Sequence, residues 1–308
     1  MRSIGSRVFS CKLIFLLIFI FLALFLLLVA RNSVIQRKRG NSMSLRRSTI
    51  AVALVGAGLL GFSGTSSAIS ISGWTGEGNF GTSGADGVVT LSPFEGSTQY
   101  GWVSTAEGVE GVALEGIGGE GVPTTGSRLR STMFTAGEGD LLEFYFNYVT
   151  SDGAGFADYG WARLLLDETL EEVALLFTAR TTPAGDTVPG FEMPELNATL
   201  TPDASPIIPS ETTWSPLGSD SGRCFSSSGC GHTGWILASY VIGEAGRYVL
   251  EFGVVNWEDT AYQSGLAFDG ATIGGVEIGN PSPVPEPASL ALLGLGLAGM
   301  AAMRRRKS

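Results

Sequence analysis

Residues 140–149, DLLEFYFNYV, alternate apolar and polar side chains, and residues 246–255, GRYVLEFGVV, repeat the pattern. Successive side chains of a β-strand point to opposite faces of the sheet, so a period of two indicates strands with one face in a core. The predicted core faces are Leu142, Phe144, Phe146 and Tyr148 in the first strand, and Tyr248, Leu250, Phe252 and Val254 in the second.

Similar short apolar runs extend outward from these two segments, separated by Gly, Pro, Asp and Ser. They occupy residues 88–91, 100–104, 128–134, 161–166, 173–179, 235–242 and 266–278. The total is roughly nine or ten strands, depending on whether the last run is split. No long helical periodicity alternates with them, so the sequence predicts an all-β fold, an antiparallel β-sandwich of the jelly-roll type, over residues 69–280.

Residues 181–221 break this rhythm because seven prolines crowd the stretch. A segment of this length between strands is either a functional loop or an excursion wrapped over the surface. The sequence leaves both interpretations open.

The charge of the predicted domain is strongly one-sided. Residues 69–283 contain 28 Asp and Glu residues against six Arg and no Lys, a net charge of −22. Such a surface repels phosphate backbones and anionic lipid headgroups, which excludes nucleic acid as a partner. Solubility of an extracellular protein explains the acidity on its own, and binding of divalent cations is the alternative.

Two acidic loops are candidate calcium ligands, since calcium takes six to eight oxygen ligands and Gly-rich loops turn backbone carbonyls inward. The first loop carries Asp152 and Asp158, the second carries Asn256 and Asp259, and Asp269 follows. The alternative is that these are ordinary turn-forming residues that hydrogen-bond their own backbone.

Cys224 and Cys230 bracket a short loop, and Cys11 is the third cysteine of the chain. In an oxidising compartment the first two predict a disulfide that contributes about 2 kcal/mol. His232 follows closely, and a zinc site with these cysteines is the alternative interpretation. His232 is the single histidine of the chain, so any nucleophilic catalysis that needs a histidine base would have to use this residue.

Six tryptophans could stack on sugar rings, but most are expected in the core. Trp214 lies in the Pro-rich stretch, and Trp257 lies beside two acidic residues. Neither falls inside an alternating strand, so both are predicted to be exposed and to contact a ligand.

Two apolar segments precede the domain. The first, residues 13–30, belongs to a doubtful leader, residues 1–42. The second belongs to residues 43–68, which combine a basic start, a short apolar run and small residues before a cut after Ala68. We interpret residues 43–68 as a signal peptide with a helical core, Met43 as the true start, and the Sec machinery as the export route.

The tail, residues 281–308, orders three signals: a Pro-Glu-Pro break, an apolar run and a basic cluster. They are Val284, Pro285, Glu286 and Pro287, then residues 288–303, then Arg304, Arg305, Arg306 and Lys307. The run predicts a short transmembrane helix whose basic flank reaches the headgroups, and a buried helix of the domain is the alternative.

This tail resembles the PEP-CTERM sorting signal of Gram-negative surface proteins. The resemblance implies recognition by an exosortase-type processing enzyme and release or transfer near residues 285–287. An inner-membrane intermediate would then be delivered to the cell surface or to an extracellular matrix.

Two further stretches, YVTSDGAGFADYGWARLLL and VVNWEDTAYQSGLAFDGATIGGVEI, resemble PEP-CTERM proteins with jelly-roll ectodomains. The resemblance implies a sandwich shaped like carbohydrate-binding modules and brings no catalytic residues. We therefore expect a non-enzymatic adhesion, scaffold or exopolysaccharide-associated protein. The alternative is a secreted polysaccharide-cleaving enzyme that uses a pair of carboxylates.

Overall fold

The computed structural model describes residues 69–279 except 154 and 227. The doubtful leader, residues 1–42, the predicted signal peptide, residues 43–68, and the sorting tail, residues 281–308, lie outside the described residues. Within the described part, no helix has the length and apolar character needed to cross a membrane.

The described chain is built almost entirely of strands. The first nine are β1 Thr75–Glu77, β2 Asn79–Ser83, β3 Tyr100–Ser104, β4 Val109–Glu110, β5 Pro123–Arg130, β6 Phe134–Ala136, β7 Leu141–Thr150, β8 Tyr159–Leu166 and β9 Glu172–Arg180. The others are β10 Asp186–Val188, β11 Thr199–Thr201, β12 Ser205–Pro206, β13 Ile208–Pro209, β14 Gly231–His232, β15 Ile236–Val241, β16 Gly246–Trp257, β17 Ser264–Ile273 and β18 Val276–Glu277. A 3-10 helix, Ser215–Asp220, lies between β13 and β14.

These strands form two large antiparallel sheets. One has the order β1-β5-β16-β8-β9, with β4 beside β5 and β6 beside β16. The other has the order β11-β15-β7-β17-β3-β2, with β14 beside β7, β13 beside β14 and β18 beside β17. Strands β10 and β12 pair separately. The predicted all-β antiparallel fold is confirmed.

The two sheets pack face to face through aromatic side chains, as a β-sandwich requires. Phe146 of β7 stacks on Phe177 of β9 with 3.8 Å between ring centroids. Phe252 of β16 stacks on Phe268 of β17 at 4.0 Å. All eight predicted core side chains of β7 and β16 are buried, so the period-two patterns identified the inner faces correctly.

The outer faces of both sheets are also partly covered. On the sheet containing β16, Val112 and Leu114 from the Gly-rich residues 108–121 pack on Trp161. On the sheet containing β17, Trp214 and Leu217 from the Pro-rich stretch pack on Ala267. The Pro-rich stretch is therefore a folded excursion, and it supplies part of a second, outer core.

The two ends of the described chain meet at one pole of the sandwich. The Gln99 side-chain amide donates a hydrogen bond to the Ile69 carbonyl oxygen at 2.7 Å. A Cβ atom on Gly279 would lie 2.6 Å from Trp74 Nε1 and 3.3 Å from the Ser70 carbonyl oxygen. Residues 69 and 279 thus leave the domain side by side, next to the start of β3.

Several predicted strands differ from those observed. Residues 88–91 form no strand, only a bridge between Asp86 and Val89. The run 128–134 is interrupted between β5 and β6, and the run 266–278 is split into β17 and β18. β1 and β2 were not predicted, because Gly, Asn and Ser in residues 75–83 hide the alternation.

Candidate functional site

A surface cleft of about 500 Å³ lies between β2–β3 and the 3-10 helix Ser215–Asp220. We call it the Trp102 cleft. Its lining includes Asn79, Ser83, Trp102, Glu107, Ser215 and Ser219. A volume of this size is typical of sites for small ligands, and the lining combines one aromatic ring with several polar groups.

The indole of Trp102 is fixed by β2 and remains partly exposed. Its N–H donates a hydrogen bond to Ser83 Oγ at 3.1 Å. A Cβ atom on Gly81 would lie 2.7 Å from Trp102 Cζ2, so the ring lies directly against the β2 backbone. Glycine at position 81 therefore creates the platform on which the indole lies flat.

The opposite wall of the cleft is the 3-10 helix, which Trp214 and Leu217 attach to the sheet. Trp214 is fully buried, and its indole N–H donates to the Tyr100 hydroxyl at 2.9 Å. Gly218, with φ of 60°, kinks the helix and lies on the cleft side with Ser219. The wall is consequently packed and hydrogen-bonded where it touches β3 and polar where it faces the cleft.

Glu107 is the single charged side chain among the cleft-lining residues. It is exposed, and its backbone has φ of 60°, in the left-handed region that non-glycine residues rarely adopt. Such outliers are enriched at functional positions. Sequence reasoning missed both Glu107 and Trp102, because nothing local shows that β2 and the Pro-rich excursion enclose them.

The predicted calcium ligands are only partly brought together. Asp152 and Asp158 are both buried near the start of β17. Trp257 N–H donates to Asp158 Oδ1 at 2.8 Å, and the Ser264 hydroxyl donates to Oδ2 at 2.7 Å. Gly153 N–H donates to Asp152 Oδ1 at 2.9 Å, while Asp152 Oδ2 has no partner among the described residues.

Asp269 does not belong to this group, and the five-residue calcium site is wrong in that respect. Asp269 lies on β17 five residues beyond Ser264, the residue that donates to Asp158. There the Ser92 and Ser97 hydroxyls donate to Asp269 Oδ2 at 2.5 and 2.6 Å. Five residues of strand span about 16 Å, too far for shared coordination of one ion. Among described residues, no three His, Cys, Asp or Glu side chains are grouped to hold a metal. Asn256 and Asp259 remain near Asp152 and Asp158 without completing a ligand set.

The pKa values of the two buried carboxyl groups, Asp152 and Asp158, are both raised. Burial raises the pKa of Asp152 to about 7, and the Asp259 and Asp220 carboxylates add to the rise. Burial also raises the pKa of Asp158 well above its usual range, helped by Asp152 and opposed by the Ser264 and Trp257 hydrogen bonds. The folded protein therefore holds protons here that the unfolded chain releases.

We predict that replacing Asp152 with asparagine reduces the loss of stability at rising pH. A carboxyl whose folded pKa is raised stabilises the fold at low pH, and this contribution disappears as pH rises from about 4 through about 7. Melting temperatures of wild type and Asp152→Asn should diverge with pH, the variant being the more stable at alkaline pH. The exposed Asp203→Asn serves as control, and equal pH slopes for all three proteins would contradict the assignment.

Both tryptophans predicted to be exposed are buried, which corrects the stacking prediction. Trp257 is only 4% exposed because β16 continues to its position. Its indole N–H donates to the Glu120 carbonyl oxygen at 2.8 Å, and the Arg180 guanidinium lies 4.6 Å from its ring centroid. Trp214 anchors the cleft wall, as described above. Neither ring is accessible to a ligand.

Cys224 and Cys230 form the predicted disulfide, with Cα atoms 5.8 Å apart. Their oxidation removes both thiolates from the alternative zinc site. His232 Nδ1 accepts a hydrogen bond from Gly234 N–H at 3.1 Å, and burial lowers the pKa of His232. This histidine is therefore a hydrogen-bond acceptor within the turn that follows β14, and burial favours its uncharged form.

Comparison with known proteins identifies the tail. A model of the PEP-CTERM protein-sorting motif matches residues 283–307. The chain carries this motif, which marks an exported protein that is processed at the membrane by an exosortase and anchored at the cell surface. Comparison with curated proteins finds no match.

Among solved structures, one similar chain is the enzymatically active domain of tailspike protein 4 from bacteriophage CBA120. The identity is 13% and the TM-score is 0.29, over 67% of this chain and 20% of the phage chain. The match thus spans about a fifth of the phage domain, and at this score it supports no inference about activity.

Proposed function

We propose that this exported, PEP-CTERM-bearing chain acts at the cell surface as a non-catalytic binding module for extracellular polysaccharide, in adhesion or as a scaffold. The observation that carries the proposal is the Trp102 cleft, where a partly exposed indole faces hydroxyl and amide groups. Aromatic faces stack on the apolar faces of sugar rings while polar neighbours bind the hydroxyls.

The export route is part of the same proposal. Residues 43–68 would act as a Sec signal peptide, and processing near Pro285, Glu286 and Pro287 would release a Gram-negative surface or matrix protein. The strand order supports a jelly roll over the domain 69–280. Strands β3-β17-β7-β15 face β5-β16-β8-β9, and the chain alternates between the two sheets through most of its length.

The polysaccharide-cleaving alternative receives less support from the cleft. Glycoside hydrolysis in its usual forms needs two carboxyl groups flanking the scissile bond. Glu107 is the single carboxylate lining the Trp102 cleft. Release of reducing sugar from a polysaccharide by the purified protein would favour the enzyme.

Replacing Trp102 with alanine is expected to weaken glycan binding about tenfold, the loss that corresponds to one stacking contact. The measurement is a glycan array followed by titration calorimetry on the best ligand. Trp235→Ala is the matched control, since Trp235 directly precedes β15 of the same sheet and is partly exposed but does not line the cleft.

Gly81→Ala should reproduce the loss, because a methyl group there displaces the indole. Gly243→Ala, which has no atom within 4 Å of the added carbon, should not. Undiminished binding by Trp102→Ala would exclude this cleft as the sugar site.

A further inference from the structure

Every arginine of the described domain is already engaged by a carboxylate. The pairs are Arg128 with Glu77, Arg130 with Glu251, Arg163 with Glu251 and Glu172, Arg180 with Glu192, Arg223 with Asp220, and Arg247 with Asp167 and Glu168. No lysine occurs between residues 69 and 283. The described surface consequently offers no unengaged cation to the carboxylate or sulfate groups of an anionic glycan.

The Trp102 cleft, in contrast, contains a carboxylate that no arginine of the described residues neutralises. The carboxylate of Glu107 is exposed and forms no hydrogen bond or ion pair within the described residues, in contrast to Glu77 or Asp167. It lies with a left-handed backbone in the turn between β3 and β4 and lines the same cleft as Trp102. The net charge of −22 over residues 69–283 strengthens the local negative potential.

We propose that the Trp102 cleft selects sugars bearing a free ammonium group, which pairs with Glu107 while the pyranose ring stacks on Trp102. This inference rests on the proposed function and adds the class of glycan to it. Neutral sugars would keep the stacking contact and lose the ion pair. Uronic-acid or sulfated sugars would be repelled, because no described cation is available to receive them.

The test compares three short oligosaccharides of equal length with the purified protein, at mildly acidic pH where amines are protonated. The probes are a glucosamine oligomer, the corresponding N-acetylglucosamine oligomer and an oligogalacturonate. The expected order of affinity is glucosamine, then N-acetylglucosamine, with no binding of galacturonate. Glu107→Gln should weaken the glucosamine complex about fivefold and the N-acetylglucosamine complex by less than about twofold. High salt should reduce the first complex alone.

Glu110→Gln, an exposed carboxylate on β4 outside the cleft, is the matched control for diffuse attraction to the acidic surface. Equal loss in Glu107→Gln and Glu110→Gln would overturn the inference, as would galacturonate binding. Equal affinity for both amino-sugar probes, lost in Trp102→Ala, would overturn the inference and keep the proposed function. Binding of every probe unaffected by Trp102→Ala would overturn both.

Discussion

Replacing Glu251 with alanine is expected to lower the free energy of unfolding by about 3–5 kcal/mol, the usual cost of breaking a buried ion pair by removing one partner. Glu251 lies at the centre of β16 with no exposed surface. Its cross-strand neighbours are Arg130 on β5 and Arg163 on β8, whose Nε atoms lie 2.7 and 2.6 Å from its two carboxylate oxygens. One carboxylate therefore ties three strands together, and its removal leaves the Arg130 guanidinium without a carboxylate partner and Arg163 with only the exposed Glu172.

The pH dependence of this network is opposite to that of Asp152. Burial alone would raise the pKa of Glu251, but Arg163 and Arg130 outweigh it and lower the pKa below its usual value. The stabilisation is present above the unfolded pKa and is lost as pH falls through the folded value.

Denaturant unfolding of Glu251→Ala at neutral pH is the measurement. Glu172→Ala is the control, since Glu172 contacts Arg163 from an exposed position at 3.4 Å. A loss no larger than that of the control would refute the central role of Glu251.

Replacing Trp214 with alanine is expected to cost about 3–5 kcal/mol, as large-to-small changes of buried aromatic residues do. The indole is fully buried, a Cβ atom on Gly265 would lie 2.4 Å from its Cζ3 atom, and its N–H bond to Tyr100 would be lost. The helix Ser215–Asp220 would detach from β3, so the glycan binding that we propose for the Trp102 cleft should fall together with stability.

Two measurements separate these effects. Denaturant unfolding gives the stability loss, and limited proteolysis within residues 181–221 reports detachment of the excursion while the sandwich stays folded. Trp235→Ala, which removes a partly exposed indole from the same outer face, should change both far less. If the two variants behave alike, Trp214 does not anchor the wall.

The elements that the sequence predicted correctly are those whose signal is local. The alternation in β7 and β16 arises from consecutive side chains, and the Cys224–Cys230 loop is short enough to close on itself. The sorting motif is likewise a contiguous pattern. In each case the pattern and its structural cause lie within a few residues of each other.

The errors concern features that distant segments decide. Trp257 is buried because Arg180 and the carbonyl of Glu120 reach it from other parts of the chain. Asp269 lies near Asp259 in sequence, but five residues of β17 separate it from Ser264, the residue that donates to Asp158. The Trp102 cleft exists because β2, an unpredicted strand, and the Pro-rich excursion meet across β3. No sequence window of one strand contains this information.

The meeting of the chain ends beside Gln99 fixes how the domain can be presented. Strand β3 runs from Tyr100, next to that pole, to Ser104, and Glu107 follows three residues later. Five residues of strand cover about 16 Å. The chain therefore leaves the described domain at residue 279 from the end of β3 opposite Glu107, and the Glu107 end of the Trp102 cleft lies away from that exit point.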